Sequence, residues 1–128
     1  MAKKILQIIE TAYRATVEEQ DDTAVWLTHA MVGAGAQAAV LLRGNAVNYL
    51  VPGQESPPVV IGAWRQTHPP ALLEDIVKLS EKGVPLFYVS EDLEDRGLDG
   101  QQMAASATPV RRNELAAFLS DYDHVWHW

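Results

Sequence analysis

Short apolar runs alternate with stretches of helical spacing, and this alternation limits what the chain can fold into more than any other feature. Lys4–Glu10 (KILQIIE), Ala38–Leu42 (AAVLL) and Val84–Val89 (VPLFYV) are branched and nearly continuous in apolar residues. Such runs fit strands buried on both faces of a parallel sheet, with Pro85 confined to the start of its strand. Thr108–Arg111 and Val125–Trp128 predict two further short strands. Between them, Ala24, Leu27, Thr28 and Met31 recur at helical spacing. Leu72, Ile76 and Leu79 do the same, and so do Leu115, Phe118, Leu119 and Tyr122. The implied order is β-α-β-α-β-(α)-β-α-β, a parallel sheet wrapped by helices.

Punctuation residues sharpen these boundaries. Asp21 and Asp22 suit the first turn of the first helix, and Gly33 and Gly35 suit its end. Pro69 and Pro70 suit the start of the second helix, and Gly83 its C-terminal cap. Asn113 is the expected cap of the last helix. Thr11–Glu19 reads as a loop or helix entry, Ala46–Val51 as a short helix stopped by Pro52, and Leu98–Ser106 as a loop with a helical turn. Residues 53–70 hold Pro57, Pro58, Pro69 and Pro70 and read as an irregular excursion, with Val59–Trp64 an edge strand. With 128 residues and no linker or repeat, the expectation is a single domain over 1–128.

Composition narrows the partners. Apolar residues make up 48% and charged residues 21%, values of an ordinary globular chain. A formal charge of −7 repels phosphate backbones and anionic membranes, so neither nucleic acid nor membrane is an expected partner. The apolar run after Lys3 and Lys4 ends at Glu10, too short for a signal peptide, and Gln37 interrupts the longest later run. A cytoplasmic setting is the expectation. There is no cysteine, which excludes a disulfide framework and any thiol or persulfide chemistry by the chain itself.

Ligands of open parallel sheets bind beyond the carboxyl ends of the strands. Those ends carry Thr11–Arg14, Arg43–Asn48, Ser90–Asp92 and Arg111–Arg112. The candidate ligand-binding set drawn from this edge is Tyr13, Arg14, Arg43, Asn45, Asn48, Tyr49, Ser90, Glu91 and Arg96. Arg14, Arg43 and Arg96 could hold an anion through charge-assisted hydrogen bonds; alternatively they pair with Glu10, Glu91 and Asp95. Ser90, at a strand end, invites a nucleophile reading, yet no G-x-S-x-G elbow surrounds it and no histidine is evidently beside it. The simpler expectation is that Ser90 caps a helix over Asp92–Arg96. Glu91, Asp92, Glu94 and Asp95 could do acid–base work or form a solvated face.

His29, His68, His124 and His127 show no metal-ligand spacing, and no metal or cofactor is expected. Gly33-x-Gly35 ends a helix and opens a strand, the reverse of a dinucleotide fingerprint, and no P-loop pattern occurs. Trp126 and Trp128 pack either into the core or against a partner subunit.

VPLFYVSEDLEDRGL at 84–98 and NELAAFLSDYDHVWHW at 113–128 resemble the C-terminal half of the DsrE/DsrF/DsrH sulfur-relay proteins. EDLEDRGL and the terminal helix ending in tryptophan are nearest the DsrH branch. KILQII and VLLRGNAVNYLV resemble the DsrE branch, so the likeness spans most of the chain outside roughly 53–67. It implies a three-layer α/β/α subunit with a five-stranded, mostly parallel, flavodoxin-like sheet. It implies assembly into trimers or hexamers, alone or with related subunits, and a role in moving sulfane sulfur between proteins. The family's sulfur-accepting cysteine follows the third strand, a position held here by Ser90. A serine hydroxyl cannot attack and hold sulfur as a thiolate does. The resulting expectation is a non-catalytic structural or regulatory subunit of intracellular sulfur metabolism; the alternatives are a small-molecule or anion binding module at the carboxyl edge, or an enzyme using Ser90 or its neighbouring carboxylates.

Overall fold

A computed structural model describes residues 2–13, 22–55 and 57–128. Its main sheet contains β1 (Lys4–Ile9), β2 (Gln37–Leu42), β5 (Leu86–Val89), β6 (Thr108–Val110) and β7 (His124–His127). All pairings are parallel, in the order β6-β5-β2-β1-β7. β1 and β2 occupy interior positions, which is why their runs are apolar on successive residues. In β1, Leu6, Gln7, Ile8 and Ile9 are all buried.

Alternation along the strands sorts these side chains to two faces. On one face Ile9, Val40, Leu42 and Leu86 meet α1 (Thr23–Gly33), α2 (Leu72–Glu81), α3 (Ser90–Asp95) and a 3₁₀ turn at Gly44–Leu50. On the other face Leu6, Ile8, Ala39, Leu41, Val89 and Val110 are covered by Leu115, Phe118, Leu119 and Tyr122 of α4 (Leu115–Leu119) and the turn after it. Phe118 packs edge-on against Phe87, ring centroids 4.8 Å apart. The layering is the expected flavodoxin-like α/β/α arrangement in one domain. The reversal in strand order falls at β1, which is flanked by the strand that follows it and by the last strand of the chain.

Both long helices end the same way. After α1, Gly35 N–H bonds the Val32 carbonyl at 3.0 Å and Ala36 N–H the Met31 carbonyl at 2.9 Å. After α2, Gly83 N–H bonds Ser80 at 2.9 Å and Val84 N–H bonds Leu79 at 3.1 Å. These are Schellman closures, and they require the positive φ of Gly35 (95°) and Gly83 (82°). Asp22 caps the start of α1, accepting from Ala24 N–H at 3.0 Å and Val25 N–H at 3.2 Å; Asp21 lies outside the described residues.

Four local expectations are corrected. Val59–Trp64 adds no edge strand to the main sheet: β3 (Val60–Ile61) and β4 (Trp64–Arg65) form a separate antiparallel hairpin. Ala46–Leu50 belongs to the 3₁₀ turn that already starts at Gly44, where φ is 56°, and Val51 lies just past its end. Asn113 lies inside a second 3₁₀ turn, Arg112–Glu114, and Glu114 occupies the position before α4. Ser90 is the first residue of α3, and its hydroxyl donates to Glu91 instead of accepting a backbone N–H, so it is not a cap.

The C-terminus is woven into the sheet. Trp128 N–H bonds the Ile8 carbonyl at 2.9 Å, and the Trp128 carbonyl accepts from Glu10 N–H at 2.9 Å. The indole Nε1 donates to the buried Gln7 Oε1 at 3.0 Å. Gln7 Nε2 in turn donates to Thr28 Oγ1 of α1 at 3.3 Å. A glutamine inside an apolar strand is thus bonded at both ends, as burial demands. Trp128 packs on the core, whereas Trp126 remains 42% exposed.

Candidate functional site

The carboxyl edge places the candidate residues in three groups; Arg14 lies outside the described residues. The first group surrounds the 3₁₀ turn. Tyr49, buried, donates its hydroxyl to Asp22 Oδ2 at 2.7 Å and accepts from Tyr13 N–H at 2.7 Å. Tyr13 adopts φ of 60°, rare for a non-glycine residue, and donates its own hydroxyl to the Gln54 carbonyl at 2.7 Å. The two rings meet edge-on at 5.5 Å. Burial raises the Tyr13 phenol above its ordinary value, partly offset by a hydrogen bond with Asn48. Asn48 shares with both tyrosines a crevice of about 10 Å³, hardly room for a single water.

The second group is Arg43 alone, whose Nε lies 3.0 Å from Glu10 Oε1. His127 Nε2 approaches the other oxygen of Glu10 at 3.6 Å.

The third group is built on α3, which follows β5 directly. Its centre is Asp92. One carboxylate oxygen accepts from Gly44 N–H at 2.8 Å and the other from Arg112 Nη2 at 2.6 Å. Arg96 donates Nε and Nη2 to Asn45 Oδ1, at 3.1 and 2.7 Å, and Nη1 to the Asp92 carbonyl at 2.9 Å. Glu91 accepts from Arg112 N–H at 3.1 Å and from the Ser90 hydroxyl at 2.9 Å. The arginine–carboxylate pairing foreseen in the sequence holds for Arg43 with Glu10. Arg96 instead binds an amide and a carbonyl, and Asp95 approaches Arg112 at 3.5 Å.

This arrangement has a chemical consequence. Glu91 is the only group hydrogen-bonded to the Ser90 hydroxyl among the described residues. Its own backbone N–H, then that of Arg112 and the Ser90 hydroxyl, hold its carboxyl below the usual range. A depressed pKa makes a weak base near neutrality, so the pair lacks what an activated serine needs. Among the described residues no three His, Asp or Glu side chains converge as metal ligands, and no helix is long and apolar enough to cross a membrane.

Asp92 and Arg112 organise this edge more than the set singled out from sequence. The available signal was weak: Asp92 looked like one of four similar carboxylates, and only its burial distinguishes it. A further cavity was not foreseen at all. It measures about 560 Å³ and lies at the opposite, amino end of the sheet, lined by Lys4, Gln37, Lys82 and Tyr122 among others.

No family model matches the chain, and no curated protein matches it by sequence. Solved structures do share its fold. The ychN protein from E. coli superposes with a TM-score of 0.72 over 100% of both chains, at 15% identity. A conserved protein of unknown function from Bacteroides thetaiotaomicron, BT1422, gives a TM-score of 0.65 over 98% of this chain and 95% of its own, at 12% identity. At such identities the likeness carries the fold and leaves the function to the residues.

Proposed function

We propose that this chain is a cysteine-less relative of the DsrE/DsrF/DsrH proteins, acting as a non-catalytic structural or regulatory subunit in intracellular sulfur relay. The observation that carries this reading is Ser90. It stands where β5 gives way to α3, the place the family resemblance reserves for the sulfur acceptor. Its hydroxyl is tied to Glu91 at 2.9 Å, and no thiol exists elsewhere in the chain. Persulfide formation requires a thiolate, so this subunit by itself moves no sulfur.

Assembly is the remaining role. Val125 and Trp126 on β7, an edge strand of the sheet among the described residues, are 43% and 42% exposed. A trimer or hexamer of this chain, or a mixed oligomer with cysteine-bearing relatives in the cytoplasm, would cover them. Light scattering on the purified chain, alone and mixed with such relatives, tests this. The expected mass is a multiple of the 14.1 kDa chain, reduced by Trp126→Lys. A monomer at micromolar concentration under both conditions would remove the assembly role.

The second reading, an anion or small-molecule module at the carboxyl edge, has less support. Arg43 and Arg96 are each already partnered, and an incoming anion would have to displace Glu10 or Asn45.

A further inference from the structure

The cavity at the amino end of the sheet is framed by small side chains. Ala36 precedes β2, and Ala38 and Ala39 lie in its first half, where they fill less space than Val40, Leu41 and Leu42 in the second. The walls come from both faces of the sheet. Val32 and Ala36 follow from α1, Val84 and Pro85 lead into β5, and Asp121 and Tyr122 come from the turn after α4. At about 560 Å³ the space lies within the range of small-molecule sites.

Its polar groups are distributed differently from those of the carboxyl edge. There, Arg43 and Arg112 face carboxylates and Arg96 is bonded to Asn45. At the amino end, Lys4 and Lys82 line the cavity, and neither is in an ion pair among the described residues. Lys82 Nζ lies 2.9 Å from His29 Nδ1. Asp121 is the single carboxylate in the lining, against two lysines, although Asp123 Oδ2 stands beside it and accepts from the Lys4 backbone N–H at 2.8 Å. The helices α1 and α2 both end beside the cavity, and their negative ends oppose an anion. The Schellman closures bond two terminal carbonyls of each helix, which weakens that opposition.

The geometry points to a binding site at the amino end of the sheet for an organic anion: an apolar body among the alanines, Val32, Val84 and the Tyr122 ring, and an acidic group held by Lys4 and Lys82. This site is independent of the carboxyl edge and of the sulfur-relay reading. The ammonium groups are long and exposed, so they would close on the acid from the mouth while the body excludes water.

Titration of the whole chain with 1-anilinonaphthalene-8-sulfonate, followed by fluorescence, tests the site. Saturable binding of one probe per chain is expected. Lys82→Glu and Lys4→Glu should each weaken it by about tenfold, the scale of a charge-assisted contact. Ala36→Phe should abolish it by filling the space, and Arg43→Ala should leave it unchanged. N-phenyl-1-naphthylamine, the same body without the sulfonate, should bind about tenfold more weakly. Absence of saturable binding, indifference to both lysine reversals, or equal affinity for the neutral probe would each overturn the proposal. Should Ala36→Phe fail to fold, the lysine variants and the neutral probe settle the question.

Discussion

Asp92 receives hydrogen bonds from two segments distant in the chain, the Gly44 amide before the 3₁₀ turn and the Arg112 guanidinium after β6. Removing it leaves a half-buried N–H without its acceptor and an arginine without its shortest ion pair. Asp92→Ala is expected to cost about 2–3 kcal/mol in urea unfolding, whereas Asp95→Ala, at an exposed pair, should cost under about 0.5 kcal/mol. Comparable costs would show that the two carboxylates are equivalent. Tyr49 offers a test with pH. Burial, joined by the hydrogen bond to Asp22 and its charge, raises the phenol far above its ordinary 10.0. A folded-state pKa above the unfolded one gives stabilisation that is complete below about pH 10 and lost as pH climbs from there towards the folded value. Unfolding free energy should therefore fall on the alkaline side, and Tyr49→Phe should flatten the fall. An unchanged slope in the variant would contradict this account of the buried phenol.

At the scale of elements, the closures of α1 and α2 depend on backbone conformation more than on contact. A Cβ at Gly83 would meet nothing within 4 Å, so the cost of Gly83→Ala is conformational, about 1 kcal/mol. Gly33→Ala, at a helical position with equal space, should be neutral or slightly stabilising when both variants are compared by urea unfolding. If both substitutions cost the same, the left-handed conformation at Gly83 is not what matters. These glycines, the strands and the helical stripes were legible because each leaves a local mark: a run, a spacing, a terminator. The hairpin at 60–65 was only half legible. Val60, Ile61 and Trp64 have strand character, but the pairing partners lie three and five residues away and not in the main sheet. Asn113 looked like a cap because it precedes a stripe, yet the 3₁₀ turn moves the helix start past it. At the carboxyl edge the residues were identified but not their partners: Arg96 turned to Asn45, a choice fixed by the path from the 3₁₀ turn to α3. The amino-end cavity had no legible signal, since its lining is spread over five segments and consists largely of small residues.

Over the whole molecule, the two ends of the sheet differ in kind. The carboxyl end, where doubly wound folds gather their ligands, is closed by the pairs of Arg43 with Glu10 and Arg112 with Asp92. The amino end is open and lined by Lys4 and Lys82, neither of which forms an ion pair among the described residues. The outer strand β7 meanwhile exposes Val125 and Trp126, the surface on which the proposed assembly rests. On the proposed function, the chain is a subunit without the sulfur-carrying thiol. The direct check is intact-mass spectrometry after incubation with a polysulfide donor, for the natural chain beside Ser90→Cys. The natural chain should keep its mass, and the variant should gain sulfur that a reductant removes. Stable covalent sulfur on the natural chain would contradict the account.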